Sequence, residues 1–467
     1  MTMQYQKEIE AFFHRHRDDF LADLSALIAI KSVGGEAREN APYGSGPKKA
    51  LEYMLALAKG KGFACQEIAH RIGCVDMNMH RRAVDILTHL DVIPAEQGWT
   101  KTAPFSPRIE GNRLYGRGAI DDKGPAMAAL YALWAVKELG IPLSKNVRLV
   151  MGTDEERGSS DIPFYYQIHK EAPLTFTPDG SFPLVHGEKG GFFGSFSGIV
   201  ESGGSITLLE ICAGQQGNVI PDKAQAWVSG VDMTLLLSVI QNVEQAANVH
   251  IFLSEQEDVV QINVLGTGGH AAHPEAVNNP LPALLALLSC IPFEGTAGHA
   301  IQELHRMFPV GDWSGAALGL AQEHPVMGRL TISPTVLSLH EGVLNGHFDA
   351  RTAEDILPET VAAVEEQFCQ AGLVLRTKCV PIHLVPTGMQ GISTLLRCYE
   401  AYTQEKGYPQ VSGGMSYVHG LRRGVVFGCE MPGDDHHMHG ADEYADIDAL
   451  LLSGMMFAQA IVELCTT

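Results

Sequence analysis

Three short apolar runs constrain this chain most. Each ends in a histidine or in acids, and each is separated from the next by a helix-like stretch. Residues 83–90 read Ala-Val-Asp-Ile-Leu-Thr-His-Leu and run into Asp91. Residues 146–152 read Asn-Val-Arg-Leu-Val-Met-Gly and run into Thr153-Asp154-Glu155-Glu156. Residues 174–179 read Leu-Thr-Phe-Thr-Pro-Asp. Bounded apolar runs of this length fit buried strands. Strands alternating with helices form βαβ units, which predict an α/β fold with a mixed, mostly parallel sheet flanked by helices. Groups at the carboxyl ends of such strands gather on one rim. His89, Asp91, Glu155, Glu156 and Asp179 are therefore candidates for one site. Taken singly, each reads equally as a capped strand end or a solvated acid.

Between the first two runs, residues 114–125 read Leu-Tyr-Gly-Arg-Gly-Ala-Ile-Asp-Asp-Lys-Gly-Pro. Gly116 and Gly118 permit tight or left-handed backbone, so this is a shaped loop. An apolar run to residue 139 then suits a helix, with Pro125 in its first turn and Gly140 and Pro142 past its end. A carboxylate fixed in such a loop, as Asp121 is, can bridge two cations, because each oxygen takes one. His89 can ligate through one ring nitrogen while Asp91 orients the ring from outside. Of two neighbouring glutamates, one can hold an ion and the next reach the water as general base. Nitrogen and carboxylate donors without thiolates suit two divalent ions: zinc, with manganese or cobalt as substitutes.

The chain has 467 residues with 45% hydrophobic content, enough for two or more cored domains. Its net charge of −21 argues against nucleic acid or an anionic membrane as partner. Nine cysteines, an odd number without a C-x-x-C pair, read as reduced thiols in a cytoplasmic protein. The N-terminal residues are too charged for a signal peptide, and no uncharged apolar run reaches 18 residues.

Residues 5–30 carry apolar positions at helical spacing, and residues 48–59 look helical again. From about residue 190 to 380 the texture shifts to alternating short runs, with helical stretches at 281–288 and 358–370. This predicts a catalytic domain, residues 1–189 and 381–467, interrupted by an inserted α+β domain. Two glycine-rich stretches follow, 411–417 and 432–444, and the second holds His436, His437 and His439.

As a set, Thr-His-Leu-Asp, Gly-Arg-Gly-Ala-Ile-Asp-Asp-Lys-Gly, Gly-Thr-Asp-Glu-Glu, Thr-Pro-Asp-Gly-Ser-Phe-Pro and a histidine four residues before Glu443 are specific. The chain resembles the di-metal aminoacylase and carboxypeptidase superfamily over nearly its whole length, and most closely the PepV-type dipeptidases. The resemblance implies that Asp121 bridges two metals. His89 and Asp179 would complete one site, and Glu156 and His439 the other. His436 and His437 have the wrong spacing to Glu443. Glu155 falls on the general base, which activates a metal-bridging water, and Asp91 on the residue orienting His89. The peptide after the bridging aspartate is often cis in this family. In the inserted segment, Asn218 falls on a substrate contact, His270 on the oxyanion-stabilising histidine, and Arg351 on the arginine gripping the substrate carboxylate, preferably in a bidentate pair.

The chain departs from the family in two places. Residues 413–418 read Gly-Gly-Met-Ser-Tyr-Val where Gly-Gly-Gly-Thr-Tyr-Ala is usual, placing Met415 in a loop expected to line the substrate pocket beside Ser416, a substrate-binding candidate. The stretch from Gly266 to Asn279, around His270, resembles the family's lid motif, but it closes with Val-Asn-Asn-Pro rather than Gly-x-Asn-Ala. The inserted segment is longer than the lid of many dimeric relatives. It is expected to form two similar halves, one replacing a partner subunit, which makes the chain a monomer. The implied activity is a cytoplasmic, metal-dependent dipeptidase acting on small peptides with a free C-terminal carboxylate. The alternative is an N-acyl amino acid deacylase using the same site.

Overall fold

The computed structural model describes residues 3–95 and 97–466. The chain divides into two compact units. The first comprises Met1–Gly187, His383–Gln410 and Met415–Thr467; the second comprises Glu188–Ile382 and Val411–Gly414.

The first unit is built on a mixed sheet. Its neighbouring strands run Ala64–Ile68, Ile72–Asp76, Asn146–Gly152, Arg82–His89, Leu174–Thr177, Gly424–Val426, Val185–Glu188 and His383–Leu384. The strands from Asn146–Gly152 to Gly424–Val426 are parallel to one another, Ala64–Ile68 and Ile72–Asp76 add antiparallel on one side, and Val185–Glu188 pairs antiparallel with Gly424–Val426 on the other. Arg82–His89 is central: Asn146–Gly152, the next strand of this sheet in the chain, lies on one side of it and Leu174–Thr177 on the other. The winding therefore reverses at this strand, and open α/β sheets place ligand crevices at the carboxyl ends of strands beside such a reversal.

Helices follow from the apolar pattern. Gln6–Arg15 and Arg17–Ile28 bury Phe12, Phe13, Phe20 and Leu24. Lys123–Glu138 is buried on nearly every side and packs against Ile447–Cys465. The latter helix starts where the Asp446 carboxylate accepts the Ala449 amide at 3.0 Å. It is long and apolar enough to cross a membrane, but 72% of its apolar window is buried in the fold. Phe176, Phe182, Phe427 and Phe457 meet edge-on or tilted beneath the sheet's central strands. Each buried side chain of this size contributes about 1.5–3 kcal/mol. That packing makes the sheet a rigid platform.

The second unit is built on an eight-stranded antiparallel sheet. Its order is His250–Gln256, Val259–Leu265, Lys223–Ser229, Thr207–Ala213, Thr331–His340, Val343–Thr352, Gly190–Ile199 and Val374–Val380. Strand Lys223–Ser229 buries alternate residues, with Ala224, Ala226 and Val228 in the core. Helix Pro280–Ser289, nearly all apolar, packs on that side.

Candidate metal centre

Three of the parallel strands, Arg82–His89, Asn146–Gly152 and Leu174–Thr177, end at or just before a site group on the same rim. Strand Arg82–His89 ends on His89, whose ring is 1% exposed. The His89 amide donates to the Asp122 carboxylate at 2.8 Å, and Nδ1 stands 3.0 Å from the backbone oxygen of Asp91. That contact makes Nδ1 the N–H donor and turns Nε2 into the site.

Asp121 reaches the rim from the loop before helix Lys123–Glu138. Gly118 in that loop has φ +87°, and a Cβ there would press on Val92 and Lys123. The Asp121–Asp122 peptide is cis. Asp121 Oδ1 lies 3.0 Å from His89 Nε2, and its Oδ2 lies 2.9 Å from His439 Nε2. The two oxygens of one carboxylate thus face two different histidines. Asp179 Oδ2 is 3.6 Å from His89 Nε2, and Glu156 Oε2 is 3.5 Å from His439 Nε2. Two triads result, His89–Asp121–Asp179 and Asp121–Glu156–His439, each with ligand atoms within 4.8 Å of one another.

The donors fit a pair of divalent cations. His89 Nε2 and Glu156 Oε1 are buried and make no directed hydrogen bond, although carboxylates crowd both. Buried polar atoms are rarely left so. The field tells the same story. Burial alone pulls the His89 and His439 imidazoles down, yet the facing carboxylates overcome it. They hold His89 well above its ordinary value and His439 up at about 11. Burial works against the Asp121 charge, but the two histidines hold its carboxyl far below the usual range. Burial pushes Glu155 well above its ordinary value, Glu156 to about 7 and Asp179 upward, with neighbouring acids adding to the rise. Negative charge packed this densely favours a bound cation over bare acids.

Residues 86–463 match peptidase family M20/M25/M40. The chain belongs to that family. It is 32% identical to a Beta-Ala-Xaa dipeptidase of Lactobacillus delbrueckii subsp. lactis, over 99% of each chain. The fold resembles that of human carnosine dipeptidase 1, with TM-score 0.63, 14% identity and 99% of both chains covered. It also resembles an M20 family metallo-carboxypeptidase from Sulfolobus solfataricus, with TM-score 0.57, 16% identity and 95% and 98% covered.

Within this M20/M25/M40 peptidase, Asp91 touches both His89 and the backbone of the two glutamates. Its carboxylate is 3.6 Å from His89 Nδ1, beyond hydrogen-bond range, and the ring is held by the Asp91 backbone oxygen instead. The carboxylate accepts the amides of Glu155 and Glu156, both at 3.1 Å. Asp161 completes the support: one oxygen accepts the Thr153 and Asp154 amides and the Tyr417 hydroxyl, the last at 2.7 Å. Ser416, partly buried, precedes that tyrosine, and its carbonyl accepts the His419 amide.

In the second unit, Asn218 and His270 are neighbours: the Asn218 carbonyl accepts the Ala271 amide at 2.9 Å, and Val219 pairs with His270. Arg351 is buried and already paired. Its Nε and Nη2 hold both oxygens of Asp349 at 2.8 and 2.9 Å, and Nη1 donates to the Gly413 carbonyl. The Nε–Nη2 edge of the fork is thus occupied by Asp349. Asp122, Asp161 and Asp349 were absent from the sequence candidates. Asp349, two residues before Arg351 on one strand face, was the one a period-two reading exposes.

Proposed function

We propose that the protein is a metal-dependent dipeptidase hydrolysing short peptides with a free C-terminal carboxylate. The observation that carries this reading is the Asp121 carboxylate, with one oxygen on each histidine. Kinship with the Lactobacillus Beta-Ala-Xaa dipeptidase favours a dipeptide substrate. One ion would be held by His89, Asp121 and Asp179, and a second by Asp121, Glu156 and His439, zinc being the expected metal. Divalent cations bound there supply Lewis-acid polarisation of the scissile carbonyl and lower the pKa of water.

Glu155 is the general base. It takes a proton from water as the oxygen bonds to the carbonyl carbon. It then returns the proton to the amine nitrogen as the C–N bond breaks. Asp91 and Asp161 fix the backbone from which Glu155 and Glu156 project. His270 is proposed to stabilise the oxyanion, with Asn218, Arg351 and Ser416 binding substrate.

The test is hydrolysis of a free-amino dipeptide beside its N-acetylated form and its C-terminal amide, with zinc or manganese added. The free dipeptide is expected to be cleaved best. Preference for the acetylated form would replace the reading with a deacylase. Equal cleavage of the amide, or wild-type kinetics in Arg351→Ala, would remove the carboxylate requirement.

A further inference from the structure

The two triads differ in how they are held. The His89 ring is 1% exposed, while the His439 side chain is 37% exposed and sits on a loop. Packing therefore holds the first imidazole more tightly than the second. His439 also has φ +63°, and Asp442 in the same loop has φ +57°. Residues with a Cβ persist in this left-handed region when their surroundings hold them there.

What holds this loop is Arg117. Its guanidinium is 1% exposed and takes no part in the chemistry above. Nη1 lies 2.5 Å from Glu443 Oε2, and Nη2 donates to the carbonyls of His439 and Gly440 at 3.1 and 3.0 Å. Glu443 Oε1 accepts the amides of Gly118 and Ile120 at 2.9 and 3.2 Å, and its carbonyl accepts the Gly116 amide at 3.0 Å. The segment leading into Asp121 is thus laced to the segment bearing His439. A second anchor lies at the rim, where the Asp442 carboxylate accepts the Thr100 amide and hydroxyl and the Lys101 amide at 2.6–2.8 Å.

We propose that Arg117 is a positioning residue that sets the affinity of one ion site, that of Asp121, Glu156 and His439, and leaves the His89 site untouched. The inference rests on the dinuclear reading above. A planar fork reaching two carbonyls and a carboxylate is something lysine cannot reproduce. Arg117→Lys keeps a cation beside the buried Glu443 and loses the carbonyl grip on the loop. Asp442→Asn, at a half-buried position, loosens the other anchor without removing either member of the buried pair.

Metal-free protein is titrated with zinc against a chromophoric chelator, and the melting temperature of the metal-free form reports folding. Wild type is expected to take up two ions. Arg117→Lys is expected to bind one as tightly as wild type and the other 10- to 100-fold more weakly, the usual cost of losing an outer partner. Asp442→Asn is expected to weaken the same ion by a smaller factor. Where Arg117→Lys fails to fold, the Asp442→Asn result decides. Two unchanged affinities, or equal weakening of both ions, overturns the proposal. Fewer than two ions in wild type overturns the dinuclear reading itself, a failure that shows before any substitution is made.

Discussion

Asp91→Asn separates two accounts of one residue. On the sequence account, the carboxylate orients the His89 ring, so its loss weakens the ion held by His89, Asp121 and Asp179. In the structure the nearer partner of Nδ1 is the Asp91 backbone oxygen, which the substitution leaves in place. The carboxylate instead accepts two amides, those of Glu155 and Glu156. Asparagine offers one oxygen and one NH2 group. Whichever way it turns, a donor faces a donor, and one charge-assisted bond disappears. Such a bond is worth about 1.5–3 kcal/mol. If the loss falls wholly on Glu155 alignment in the transition state, kcat/KM drops about 10- to 150-fold, at 1.36 kcal/mol per decade. The assay is steady-state hydrolysis of a dipeptide, paired with zinc titration of each variant. Tight binding of the His89-site ion with reduced turnover is expected. Near wild-type turnover, or selective loss of the ion at His89, would refute the reasoning.

Glu155→Ala is expected to keep near-normal metal content while turnover falls about 100- to 10,000-fold, read by metal analysis and steady-state kinetics on the same preparation. Gly152→Ala places a Cβ against the Tyr417 hydroxyl and 2.6 Å from Asp161 Oδ2; it is expected to cost about 1–3 kcal/mol in denaturant unfolding, as overpacking does. Burial pushes Asp85 from 3.8 up to about 7, against the opposing pull of Arg82 and Arg148. The folded state therefore keeps a proton that the unfolded state has released, so this contribution is complete below about pH 4 and is lost as pH rises through 7. Asp85→Asn is expected to show a smaller fall in melting temperature between pH 5 and 8 than wild type, and an unchanged pH slope would remove Asp85 as its source.

The parts legible in the sequence were those that local pattern encodes. A strand end plus the next polar residue located His89, Glu155, Glu156 and Asp179, because parallel strands carry their carboxyl ends to one rim. Helix Lys123–Glu138 was visible through its proline and glycine punctuation. Helix Ile447–Cys465 was not assigned. It is apolar nearly all round, so it has no polar face to set a 3.6-residue rhythm. The contacts that tune the site were hidden for another reason. Tyr417 and Asp161 stand 256 positions apart, and Arg117 and Glu443 stand 326 apart. Spacing arguments carry no information over such separations. Glu443 was useful in the sequence as a ruler for choosing His439; in the structure it is the partner of a buried arginine.

The Arg351–Asp349 pair shows what such hidden contacts do to an expected role. A guanidinium has five N–H donors. Asp349 takes two of them and the Gly413 carbonyl a third, so two remain, one on each terminal nitrogen. The aspartate offsets much of the positive charge, which weakens the pull on any second carboxylate. It also removes freedom: a buried, paired arginine has already lost the rotamer entropy that a free side chain would lose on binding. In the proposed role the residue is therefore a fixed donor edge rather than a mobile charge. Discrimination by such an edge depends on geometry, so a carboxylate whose oxygens meet both donors gains two bonds, and an amide, with one oxygen and an NH2 group, gains one and meets a donor with the other.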